Sequence, residues 1–258
     1  MSEFGTYGDV HVEQHDDHVA LLELRRPPDN FFDRALIAQI GDALDALDEE
    51  PRCRAVVLCA QGKHFCAGAD FRGRPLAEEN GRHLYDEAVR LFRTRKPIVA
   101  AVHGAAIGGG LGLALCADLR VAAPEARFSA NFAKLAFHHG FGLTVTLPEA
   151  VGAQRALELL YTGARISGEE ALRIGLCDRL VPLDRVRDAA RELAADIAGS
   201  GPLAIESIRV TMRGELAARI VHATARERSE QERLQRTKDF REGVAAMAAR
   251  RPPKFERY

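Results

Sequence analysis

The stretch from Lys96 to Asp118, KPIVAAVHGAAIGGGLGLALCAD, limits the possible folds of this chain more than any other. Ile98 to Val102 reads as a buried strand. Gly108, Gly109 and Gly110 allow a sharp backbone turn that bares main-chain N–H groups. Leu111 to Ala117 then reads as a tightly packed helix. N–H groups at a helix N-terminus bind anions, and in a dry site they can hold a developing oxyanion. Pro97 to Ala117 carries no formal charge apart from His103 and approaches the length of a membrane span. Its glycines, its proline and the absence of flanking Trp or Tyr favour strand, turn and helix instead.

Flanking segments extend the pattern. His18 to Leu24 and Ala55 to Cys59 are strand-like, and Leu119 to Ala122 follows the glycine segment as a further strand. Leu36, Ile37, Ile40, Leu44 and Leu47 recur at helical spacing within Phe31 to Leu47. Glu78 to Phe92 also reads as a helix. Strands alternating with helices imply parallel pairing and an α/β fold. After about Leu143 the helix candidates are Ala153–Leu160, Gly168–Ile174, Val186–Ile197, Leu203–Glu227 and Phe240–Ala249, with a short strand near Arg179 to Val181. This helical block is expected to cover the site or another subunit rather than form a sheet layer. Gly199 to Pro202 is the best hinge, dividing a core of residues 1–198 from a C-terminal region of 199–258.

The chain has 258 residues, 47% apolar and 28% charged, with a net charge of −1. That gives no global field for nucleic acid or an acidic surface. Cys53, Cys59, Cys66, Cys116 and Cys177 form no C-x-x-C pair and their number is odd. Reduced thiols and a cytoplasmic location are expected, with no disulfide framework and no zinc site. The polar, acidic N-terminus has no signal-peptide character. A nucleotide fingerprint fails too. Gly108-x-Gly110-x-Gly112 lacks the G-x-G-x-x-G spacing, Asp118 comes too early to bind a ribose, and no Gly-Lys-Ser/Thr is present.

A second glycine segment, Gly62 to Asp70 (GKHFCAGAD), follows the strand Ala55 to Cys59. Taken with KPIVAAVHGAAIGGG, it closely resembles the enoyl-CoA hydratase/isomerase (crotonase) superfamily. The resemblance begins at Leu24-Arg-Arg-Pro-Pro-Asp-Asn30. It continues through CADLRVAAPEARFS and LLYTGARISGEEALRIGLCDRLVP, covering nearly the whole chain. It implies a spiral of β-β-α units with a helical C-terminal block, assembled as trimers or dimers of trimers through residues 199–258. It implies a thioester ligand on coenzyme A and no separate cofactor. The N–H groups of Ala69 and Gly109 would form the oxyanion hole. CoA contacts are implied at Arg25, Arg26 and Pro28 and along Ala67, Gly68, Asp70 and Phe71. Arg25 and Arg26 also suit ordinary strand-end positions.

The family pattern breaks at its acid/base positions. Hydratases of this family use two glutamates, whose places fall at Gly112 and, in ungapped register, Phe132. An aspartate used by diene isomerases and dehalogenases falls at Gly140. A positioned acid or base is typically worth ~10²–10⁴ in rate, so ordinary hydration is doubtful. His138 and His139 are the candidate replacements, because histidine titrates near neutrality. Adjacent side chains diverge in a regular element, so at most one of the two is expected in the site. His83, Tyr85, Asp86 and Glu87 lie on a helix that borders the acyl pocket in the family and suit a charged amphipathic surface, and Asp118 and Glu149 suit structural roles. Phe132 and Phe137 would make the acyl pocket apolar and dry, and Gly112 and Gly140 would leave room in it for a bulky or cyclic acyl group. Three readings stand: an acyl-CoA enzyme working through a thioester enolate, a histidine-dependent C–C bond hydrolase or decarboxylase, and a non-catalytic acyl-CoA binder. RNA binding, known for a few relatives, is disfavoured by the charge.

Overall fold

The computed structural model describes residues 2–69 and 83–258. Ten strands and ten α-helices are described. Seven strands build the main sheet: β1 (Ser2–Tyr7), β2 (Val10–Gln14), β3 (Val19–Leu24), β4 (Ala55–Ala60), β5 (Ile98–Val102), β7 (Leu119–Ala122) and β10 (Arg179–Leu180). They lie in the order β1-β2-β3-β4-β5-β7-β10. Pairing is antiparallel from β1 to β3 and parallel from β3 onward.

β3, β4 and β5 are buried at every residue, as expected for parallel strands covered on both faces. Leu22, Leu24, Leu58 and Ile98 face one core, which holds α1 (Arg34–Glu49), α2 (Leu84–Leu91) and α3 (Gly109–Cys116). Val19, Leu21, Val57 and Val99 face the other, under α7 (Val186–Ala198). Here the structure departs from expectation, because α7 is a sheet layer. Its stripe of Val186, Ala189, Ala190, Leu193 and Ala194 is small and apolar enough to lie flat on the β-branched side chains below.

A three-stranded sheet of β6 (Ala105–Ile107), β8 (Arg127–Ser129) and β9 (Ile166–Ser167) stands beside the large one. The chain passes between the sheets repeatedly: β5 leads to β6 and α3, and β7 leads to β8. Single-residue bridges mark the earlier turns, Cys66 with Ala106 and Phe32 with Ala69. This is the expected spiral of β-β-α units. Beyond it come α4 (Leu143–Val151), α5 (Ala153–Thr162), α6 (Gly168–Arg173), α8 (Pro202–Arg213), α9 (Leu216–Gln235) and α10 (Lys238–Ala248). The single helix expected over Leu203–Glu227 is two, divided at Gly214 and Glu215. Asp118 ties α8 to the core. It accepts from the Ile98 N–H at 2.8 Å and pairs with Arg209 at 3.0 Å and Arg213 at 2.7 Å.

Asn30 holds the loop after β3 against the loop after β4. Its side chain accepts from the Arg26 N–H at 2.9 Å and donates to the carbonyls of Gln61 and His64 at 2.6 and 2.7 Å. It is fully buried with φ of 50°, a left-handed conformation asparagine tolerates better than most residues. Asn30→Ala would strand these groups, each at a cost of about 1–3 kcal/mol. We expect a loss of roughly 3 kcal/mol or more, read as a lowered midpoint in urea unfolding.

Candidate active site

The site is built where the two glycine segments meet. Gly68 has φ of 96°, and a Cβ placed there would stand 2.8 Å from the Ile107 carbonyl oxygen and 4.0 Å from the Gly109 nitrogen. Only glycine lets these strands come so close. Gly108 turns the chain with φ of 57°, and its own N–H donates to the Ser129 carbonyl at 2.8 Å. Gly109 is the first residue of α3, so its N–H has no intrahelical acceptor. The Phe32–Ala69 bridge runs through the Gly68 carbonyl, which accepts from the Phe32 N–H at 3.0 Å; that bond leaves the Ala69 N–H unspent.

Ala67, Gly68, Ala69 and Gly109 line one wall of a cavity of about 250 Å³. Phe31, Phe32, Phe132, Phe137 and Phe141 make the site strongly apolar. Phe32 lies over Gly109, where any Cβ would collide with its ring. The Phe32 and Phe141 rings are 5.5 Å apart. α9 and α10 complete the wall with Gln231, Val244, Met247 and Ala248, so this part of the C-terminal block covers the site. The polar side chains among the described lining residues are Tyr85, Asn131 and Gln231, and no carboxylate or histidine is among them.

At Gly112 and Gly140, two of the positions expected to lack an acid or base, neighbouring side chains fill the space. A Cβ on Gly112 would stand 2.6 Å from the Phe141 Cβ, so Phe141 occupies the space a larger side chain would need. Gly112 itself does not line the cavity, whereas Phe132 and Gly140 do. A Cβ on Gly140 would fall on the Tyr85 hydroxyl. That hydroxyl donates to Gln231 Oε1 at 2.7 Å, and Gln231 Nε2 donates to the His138 carbonyl at 2.9 Å. Burial pushes the Tyr85 phenol far above its ordinary range, so it stays protonated. Cys66, beside the donors, is likewise pushed up to about 12 by burial and is no nucleophile at neutral pH.

His138 and His139 stand outside this lining. Their rings stack at 4.2 Å instead of diverging, because the residues between Ala136 (φ of 50°) and Phe141 (φ of 60°) form no regular element. The His138 ring is 2.7 Å from the His139 carbonyl, and the His139 ring is 2.9 Å from the Thr144 hydroxyl. Burial, reinforced by His138, lowers His139 to about 4, well below the value suited to a base at neutral pH. Glu227, fully buried on α9, accepts from the N–H groups of Gly142 and Thr144 at 2.9 and 3.1 Å and caps α4. Burial raises its carboxyl.

Of the implied CoA-contact residues, Ala67 and Gly68 line the cavity, and Arg25, Arg26 and Pro28 do not. Arg25 is exposed and pairs with Glu23 at 2.7 Å. Arg26 pairs with Asp9 at 2.6 Å and with Asp33, the cap of α1, at 2.9 Å. The Pro28 carbonyl accepts from the Lys63 N–H at 2.9 Å. Asp70 and Phe71 lie outside the described residues. His83 caps α2, and Glu87 is buried in pairs with Arg34 and Arg90, so both build the helix. Sequence reasoning missed Phe141 and Gln231. The one signal for Gln231 was a polar residue on the inner face of an amphipathic helix.

Comparison with known proteins agrees with this architecture. Residues 14–258 match the family described as Enoyl-CoA hydratase/isomerase. A putative enoyl-CoA hydratase of Thermus thermophilus is 36% identical over 95% of this chain and 100% of its own length. A probable enoyl-CoA hydratase of Mycobacterium bovis is 35% identical over 95% and 92%. Among solved structures, an enoyl-CoA hydratase/isomerase from Pseudoalteromonas atlantica superposes with a TM-score of 0.88 at 29% identity, covering 96% of this chain and all of that one. A carnitinyl-CoA hydratase from Mycobacterium avium gives 0.86 at 31%, covering 98% and 100%. The spiral α/β core is that of the crotonase fold. The chain belongs to the enoyl-CoA hydratase/isomerase family.

Two outcomes follow from the packing and charge. Gly112→Glu overfills the space held by Phe141 and should cost about 1–3 kcal/mol, with no gain in crotonyl-CoA hydration; a thermal melt and an absorbance assay check both. His139, lowered to about 4 in the fold, is protonated first in the unfolded chain as pH falls below about 6.5. Its contribution is complete above about pH 6.5 and lost progressively toward pH 4. Urea unfolding between pH 7 and 4 should therefore lose about one proton of pH dependence in His139→Gln.

Proposed function

We propose that this chain binds acyl-CoA and stabilises a thioester enolate between the N–H groups of Ala69 and Gly109, without the glutamate pair that hydration requires. What supports this reading is that Ala69 and Gly109, at the meeting of the two glycine segments, line an apolar cavity with no carboxylate among its described lining residues. Each such donor is worth roughly 3–4 kcal/mol to a developing oxyanion. A dry, aromatic pocket strengthens both. Chemistry in which the substrate supplies its own driving force, such as decarboxylation or C–C cleavage, suits a pocket of this kind better than water addition does. The histidine-dependent form of that chemistry is less well supported, because His138 and His139 lie outside the lining. The missing carboxylates equally favour a second reading, a non-catalytic acyl-CoA binder.

Arg25, Arg26 and Pro28 are the proposed rim for the nucleotide end of CoA. Apolar side chains at the surface of α8, Leu203, Ile208, Val210 and Met212, support self-association through the C-terminal helices. Among the described residues no helix is long and apolar enough to cross a membrane.

The deciding experiment incubates the protein with saturated, unsaturated and β-keto acyl-CoAs in deuterated water and follows mass. We expect α-deuterium or a new product with at least one of them. Crotonyl-CoA hydration should be at least about 10²-fold slower than with a two-glutamate enzyme, the minimum worth of one lost acid or base. Tight binding with neither exchange nor product would establish the binder, and hydration at ordinary rates would overturn the central claim.

A further inference from the structure

Tyr85 and Gln231 form the one nearly fully buried polar spot in the described cavity lining, exposed by 6% and 4% respectively. They come from α2 and α9, 146 residues apart, and meet beside Gly140, whose lack of a side chain makes room for them. Burying a phenol and an amide in an aromatic wall costs free energy unless their hydrogen bonds are made.

Counting those bonds leaves capacity over. The Tyr85 hydroxyl spends its proton on Gln231 Oε1 at 2.7 Å. The Phe141 backbone N–H faces the same phenolic oxygen. Gln231 Nε2 spends one proton on the His138 carbonyl at 2.9 Å. An amide nitrogen carries two N–H donors and an amide oxygen accepts twice. One Gln231 N–H therefore remains, with a lone pair on its amide oxygen. Both held contacts fix the amide's orientation, so the spare donor does not rotate away. Asn131 also lines the cavity but is only half-buried, and its amide nitrogen lies 3.9 Å from Met247 Sδ.

We propose that the Tyr85–Gln231 pair reads an oxygen substituent on the acyl chain, so that the site takes a hydroxylated acyl group in preference to a plain alkyl one. A hydroxyl accepts from the Gln231 N–H and donates to the remaining lone pair of Gln231 Oε1, an amide that Tyr85 holds in place. This rests on the acyl-CoA reading above and specifies its substrate class.

The test is isothermal titration of the intact protein with hexanoyl-CoA and with its 3-, 4- and 5-hydroxy derivatives. One positional isomer should bind at least about tenfold more tightly than hexanoyl-CoA, because a site built to pair with a hydroxyl rejects the analogue lacking it. Gln231→Leu and Tyr85→Phe should each reduce that ratio, the former to within about twofold. Thermal melts confirm that each variant folds, and the wild-type comparison stands without them. Hexanoyl-CoA binding with no preferred isomer overturns the proposal while leaving the acyl-CoA reading in place. A preference that survives in both variants overturns the assignment to this pair. No binding of any of the four overturns both.

Discussion

The close backbone contact between the first turn of α3 and the segment Cys66–Gly68 is the constraint on which the rest depends. The Cys66 carbonyl occupies the space a Gly110 side chain would need, and the Ile107 carbonyl does the same at Gly68. Two main-chain segments from successive turns of the spiral are thereby locked at van der Waals distance. The Cys66 and Ile107 ladder bonds, 2.9 and 3.0 Å, fix their register. With register fixed, Ala69 and Gly109 end up on one wall with no freedom to reorient, which is what preorganised donors need.

The same contact governs the aromatic layer. Because α3 begins with residues lacking side chains, Phe32 can lie on Gly109 and Phe141 on Gly112. Carboxylates at Gly112 or Gly140 would have needed solvation or partners inside a cavity that offers little of either. Phe141 fills the space beside Gly112, and the Tyr85–Gln231 pair fills that beside Gly140. Among the described residues the charged groups nearby are paired or capped away from the lining, in the Arg25–Glu23 and Arg26–Asp33 pairs and in the buried Glu227 under α4.

Much of this was legible in the sequence, and what was not has identifiable physical reasons. The parallel strands announced themselves as apolar runs because both faces are buried. β1 and β2 did not, since their alternating polar residues resemble a solvated terminus. β6 and β8 have three residues each and carry no period to detect. The break between α8 and α9 lies at one glycine inside an otherwise continuous helical pattern. α7 was read with the helices that follow it, although its alanine-rich stripe is cut for a sheet. In the site, the meeting of the two glycine segments was legible through their motifs, because close backbone approach resides in glycine spacing. Phe141 and Gln231 were not, because their roles arise from packing across 29 and 146 residues, with Gly112 and Tyr85.

Closure of the cavity by α9 and α10 has a consequence for how the protein is made. The phenylalanines of the cavity, from Phe31 to Phe141, are synthesised about a hundred residues before the helices that cover them. At ~5–20 residues per second, this greasy face waits roughly 5–20 s for its cover. Over that interval the nascent chain presents the kind of surface that holdase chaperones grip. A chain ending just before α9 would lack the cover that Gln231, Val244, Met247 and Ala248 give this aromatic wall.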